Sequence, residues 1–159
     1  MRSPLLLLGV IALGACATTP NGAKGTKSAA ASPADGGLAF GAITDSALPK
    51  GECGMVLWTL DDERPTPILR YLAGKDGQMN VGGAQTSLTL VNASGDSAFG
   101  VSESQTFKTA AGYEVTVNVR FGLGFDGGTY LEHGLVSLKS PDGWSNVAPA
   151  AGLAGCRAK

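Results

Sequence analysis

Residues 113–125 alternate strictly. Tyr113, Val115, Val117, Val119, Phe121, Leu123 and Phe125 occupy the odd positions, and Glu114, Thr116, Asn118, Arg120, Gly122 and Gly124 the even ones. Successive side chains of an extended strand point to opposite faces, so this pattern predicts one long strand with an apolar face and a wet face. Other runs can be built against it. Residues 53–60 are apolar on both parities, which predicts a strand buried on both sides with Trp58 in the core. Residues 68–73 and 78–81 flank the turn signal Asp76-Gly77, and Gly82-Gly83 turns again. In residues 84–92, Leu88 and Leu90 share a face; Ala93-Ser94-Gly95-Asp96 then reads as a turn. In residues 97–107 the parity of Phe99, Val101 and Phe107 also holds Glu103 and Gln105, the mark of an edge strand or a bulge.

Residues 129–140 form the partner of the long strand, with the register left open. A two-residue turn puts Tyr130, Glu132, Val136 and Leu138 inside, and a three-residue turn puts Leu131, His133 and Leu135 there. A bulge at Gly134 lets Leu131 and Val136 both point inward. Residues 38–43 are a short apolar opening. Residues 145–156 are a Gly/Ala-rich tail, and no stretch carries a helical stripe. The expectation is an all-β fold, a single antiparallel β-sandwich or small barrel of about seven to nine strands.

Composition agrees. The 159 residues include 24 Gly and only 16% charged residues, a mix suited to turns and strands. The formal net charge of −1 leaves no basic surplus to neutralise phosphates, so nucleic acid is not an expected partner.

The first residues are of another kind. Met1-Arg2 gives a positive start, and residues 5–13 are apolar except Gly9, a run shorter than the ~20 residues a resident membrane helix needs. The run ends in Leu13-Gly14-Ala15-Cys16. This resembles the bacterial lipobox, in which the signal peptide is removed before the cysteine. The resemblance implies that residues 1–15 are a lipoprotein signal peptide and that Cys16, carrying palmitate-type acyl chains, becomes the first mature residue. Ala15-x-Ala17 also fits ordinary signal-peptide cleavage after residue 17. Ala17 follows Cys16 where inner-membrane retention in enterobacteria uses Asp, so the resemblance implies the outer membrane. Residues 16–37 hold no aromatic or large aliphatic side chain and read as a disordered tether, with a coil span on the order of 25 Å. Residues 38–159 are the folded domain.

In an exported protein the two remaining cysteines, Cys53 and Cys156, are expected to pair. Two cysteines and one distant histidine do not make a zinc site, and no Cys-x-x-Cys is present, so neither metal nor cofactor is expected. Four features are candidates for chemistry or binding. Glu132-His133 holds the only histidine, a potential acid/base group. Adjacent strand residues point apart, however, and no Gly-x-Ser-x-Gly elbow is present. Asp61, Asp62 and Glu63 form an acidic loop without the spacing of a calcium loop. Gly122, Gly124, Gly127 and Gly128 lie on strands rather than before a helix, unlike a phosphate loop. Trp144, beside the turn Pro141-Asp142-Gly143, is the aromatic best placed to be exposed and to anchor a partner.

The expected function is a non-enzymatic binding or structural envelope lipoprotein. It would be anchored through its N-terminal lipid at the periplasmic face of the outer membrane and would meet an envelope protein or glycan. Two alternatives stand beside it. Small lysozyme-inhibitor lipoproteins share the plan of lipobox, β-barrel and one disulfide, which makes an inhibitor of an envelope-targeting enzyme one of them. A small envelope hydrolase using His133 is the other.

Overall fold

The computed structural model describes residues 39–60 and 64–159. The described chain contains strands and no helix. They are β1 (Phe40–Gly41), β2 (Cys53–Thr59), β3 (Pro67–Leu72), β4 (Gly77–Val81), β5 (Ala84–Ala98), β6 (Val101–Lys108), β7 (Glu114–Phe125), β8 (Gly128–Lys139) and β9 (Ser145–Cys156). From β2 to β9 each strand pairs antiparallel with the next, and β9 returns to pair with β2, so eight strands close an up-and-down barrel. The short β1 lies against the far end of β4, pairing Phe40 with Val81 and Gly41 with Asn80. Closure leaves no open sheet edge in the barrel, the state in which unpaired backbone groups invite aggregation.

An eight-stranded barrel is just wide enough to be filled by its own side chains. Met55 and Leu57 of β2, Leu69 and Tyr71 of β3, Met79 of β4, Leu88 of β5 and Phe107 of β6 fill one side. Val115, Val117 and Val119 of β7 and Leu131, Val136 and Leu138 of β8 fill the other. Tyr71 and Phe107 meet edge to face with centroids 5.2 Å apart. Strand β9 contributes only Ala148, Ala150, Gly152 and Ala154 to its buried row. Its thinness is required where β9 crosses β2, since a Cβ at Gly152 would fall 2.2 Å from the Val56 carbonyl oxygen and 2.5 Å from Leu57. Cys53 faces Cys156 directly in the closing pair of strands, and the disulfide between them joins residues 103 apart in sequence.

Several expectations need correction. The long strand keeps its alternation only to Val119. Register shifts between Asn118 and Arg120 and between Phe121 and Gly124 break the parity, so Leu123 is 78% exposed and Phe125 43%. Residues 93–96 do not turn. Strand β5 runs through them with a register shift between Ser94 and Ser97, and the chain reverses at Phe99-Gly100, where φ is 55° and 75°. Two successive positive φ values match the right-handed twist of a two-residue hairpin, which a search for Asn-Gly or Asp-Gly does not find. In β8, by contrast, the bulge expected at Gly134 is present: the shift between Leu131 and Gly134 turns both Leu131 and Val136 inward and leaves Tyr130 outside, and the left-handed residue in it is His133, at φ 50°. The Gly/Ala-rich tail is the closing strand β9. The strand buried on both sides is β3, not β2, because residues 42–48 lie across the outer face of β3 and bury Ile68 and Arg70.

Candidate functional site

The outer strap formed by residues 42–48 is held by side chains it crosses. Asn80 donates to the Ala42 carbonyl at 3.0 Å, Gln85 Nε2 to Thr44 Oγ1 at 2.8 Å, and the Ile43 amide to the Pro67 carbonyl at 2.9 Å. The guanidinium of Arg70 is the centre of this lattice: Nη1 donates to Asp45 Oδ2 at 2.7 Å and to the Ala47 carbonyl at 3.0 Å, and Nη2 to Gln78 Oε1 at 2.7 Å. The strap then ends against the closing strands, where Arg157 Nη1 donates to the Leu48 carbonyl at 2.9 Å.

Where the strap stops, the outer wall of β2 and β9 is open. Val56 faces Leu153 and Trp58 faces Ala151 across the seam, all half-buried and all pointing away from the barrel interior. The turn between β7 and β8 closes one side of the wall, with Phe125 edge to face on Tyr130 at 5.2 Å. The result is a groove of about 380 Å³ floored by Val56, Trp58, Leu153 and Phe125, with Leu48 on the strap side and Asp126 and Arg157 at the barrel end. Its volume lies within the range of small-molecule pockets, ~300–1,000 Å³.

Charge is distributed to match. Residues 53–60 and 143–155 contain no ionisable side chain, so β2 and β9 present an uncharged wall two strands wide. Leu60, Leu135, Tyr130 and Val147 extend it, each about half exposed. The wall formed by β6 and β7 points Thr106, Lys108, Glu114, Thr116, Asn118 and Arg120 outward instead. A filled apolar interior with an outer wall that is apolar on one side only is the reverse of an outer-membrane barrel, which has a polar lumen and an apolar belt all round.

The groove does not gather the residues singled out in the sequence. Trp144 is 75% exposed, on the β8–β9 turn at the end of the barrel opposite the disulfide. His133 stands exposed at the β8 bulge and makes no hydrogen bond to a serine, aspartate or glutamate among the described residues. Asp61, Asp62 and Glu63 lie outside the described residues, as does Cys16. Among the described residues no cluster of three His, Cys, Asp or Glu side chains is placed to hold a metal ion. Trp58, expected in the core, is instead part of the groove. Its position, with Val56 and Leu153, was signalled by the two charge-free segments that the closing pair of strands brings together. Comparison with protein-family models, with curated proteins and with solved structures finds no match for this chain.

Proposed function

We propose that this chain is a lipid-anchored, non-enzymatic β-barrel domain of the bacterial envelope that binds another envelope component through the outer wall of β2 and β9. The observation that carries the binding reading is the uncharged groove over Val56, Trp58 and Leu153. A solvated wall has no use for such a surface, and large exposed apolar patches mark sites of association. The Leu13-Gly14-Ala15-Cys16 motif supports the anchor at the periplasmic face of the outer membrane. A disulfide between Cys53 and Cys156 is the chemistry of an oxidising compartment. Two or more acyl chains on Cys16 would hold the domain stably, where one chain gives only reversible binding.

Membrane fractionation tests the anchor: Cys16→Ser should move the protein from the membrane to the soluble periplasmic fraction, and a variant that stays with the membrane contradicts lipid anchoring. Binding is tested separately by Leu153→Glu, which places a charge on the outer wall without touching the interior. It should abolish co-purification with the bound envelope component while the thermal transition is unchanged.

A further inference from the structure

We propose that the groove along the β2–β9 seam binds one free fatty acid, its chain lying over Val56, Trp58 and Leu153 and its carboxylate at Arg157. The inference rests on the reading of this wall as the binding surface and names the ligand class. Three observations point to it.

The first is the polarity gradient. From Trp58 to Cys53 the seam offers only apolar and backbone surface over roughly 16 Å at strand rise, and it ends beside Arg157. The guanidinium of Arg157 spends Nη1 on the Leu48 carbonyl and meets no carboxylate among the described residues. Its remaining N–H groups keep the planar fork that matches a carboxylate. Lys50 follows two residues after Leu48 at the same end of the strap. The nearby Glu52 is already paired with Lys75 at 2.7 Å. Asp126 stands in the groove lining as well and opposes any anionic head in proportion to its charge, so a single carboxylate is disfavoured less than a multiply charged head.

The second is the state of the backbone. Strand β2 is paired on both sides, with β3 and β9, and β9 with β2 and β8. The groove floor therefore has no strand edge to offer. An extended peptide laid there would leave its own amides and carbonyls unpaired, whereas a hydrocarbon chain has none to satisfy. The third is size: an open groove of about 380 Å³, near the lower limit for ligand pockets, has room for one acyl chain along the seam.

Tryptophan fluorescence tests this directly, because Trp58 and Trp144 are the only two tryptophans and only Trp58 lines the groove. The full chain is used with Cys16→Ser, so that no acyl group of its own competes, and with Trp144→Phe, leaving Trp58 as reporter. Titration with 9,10-dibromostearate should quench Trp58 saturably at one equivalent. Leu153→Glu and, independently, Val56→Glu should abolish the quenching. Arg157→Gln should weaken dibromostearate by about tenfold and leave the corresponding dibromo-alcohol unchanged. The inference is overturned if Trp58 is not quenched, or if the Trp58→Phe chain, reporting from Trp144, is quenched equally. It is also overturned if vesicles of anionic phospholipid or an apolar peptide displace the probe more effectively than stearate does. Failure of this inference alone leaves Trp58 bright while Leu153→Glu still abolishes co-purification with the envelope component, whereas failure of the wall reading leaves that co-purification intact in Leu153→Glu, so the two are distinguishable.

Discussion

At the scale of single residues, one side chain of the barrel interior is, among the described residues, left unsatisfied by its surroundings. Gln105 of β6 is 1% exposed, on the same parity as Val101 and Phe107, and neither its amide nitrogen nor its oxygen meets a hydrogen-bond partner among the described residues. A buried amide left unpaired costs about 1–3 kcal/mol. Methionine has nearly the same length and no polar atom to desolvate. Gln105→Met should therefore raise the unfolding free energy by about 1–2 kcal/mol, read as a higher midpoint in urea at unchanged slope; a lower midpoint would show that the amide is paired in solution. Glu103 and Gln105 made the parity of residues 97–107 read as an edge strand or a bulge; β6 is no edge, being paired on both sides, and the irregularity lies in β5 opposite Glu103. The sequence rule treats a polar residue on an apolar parity as outward, and Gln105 is inward regardless, held between the pairing of Ala93 on one side and Val117 on the other.

Among the elements, β7 and β9 mark the limits of what patterning can report. Val115, Val117 and Val119 alternate and are buried, because a regular strand in a filled barrel has one inner row. Leu123 and Phe125 continue the same alternation and are outside, because a register shift after Phe121 reverses the parity and an apolar residue type does not record a shift. Strand β9 was hidden for the opposite reason. Alanine and glycine are poor strand formers, and nothing local marks Ser145–Cys156 as a strand. Its composition answers a long-range demand, the close crossing of β2 at Gly152. Gly152→Val should strain that crossing and lower stability by about 1–3 kcal/mol, measured by chemical denaturation. Loss of stability no greater than for an exposed site would mean that β9 is held less closely than described. The same closeness explains the groove: with its outer row of Val147, Pro149, Ala151 and Leu153, β9 is apolar on both faces, so it closes the barrel and supplies the binding wall at once.

For the whole molecule, the all-β antiparallel class and the Cys53–Cys156 bridge could be read from the sequence, the first from alternation and the second from two leftover cysteines. Closure could not, because it depends on β9 meeting β2, a pairing between segments about as far apart as the domain allows. The disulfide lies in that pairing and closes a loop spanning nearly the whole domain. In the chain-entropy model such a crosslink contributes up to about 4.7 kcal/mol. The double variant Cys53→Ala/Cys156→Ala should accordingly lose about 3–5 kcal/mol of unfolding free energy; an unchanged denaturation midpoint would mean that β2 and β9 are held by other means. The outer surface follows from the same closure. Two charge-free segments become neighbours only when the barrel shuts, which is why Trp144 was the aromatic visible in the sequence and Trp58 the one placed in a groove.

The claim on which the functional account depends is that the β2–β9 wall, and no other, is the binding surface. Site-specific photo-cross-linking in cells, with the cross-linker placed in turn at Leu153 on that wall and at Asn118 on the polar wall of β7, tests it most directly. The account predicts a defined adduct from Leu153 and none from Asn118. No adduct from Leu153, or the same adducts from both positions, would contradict it.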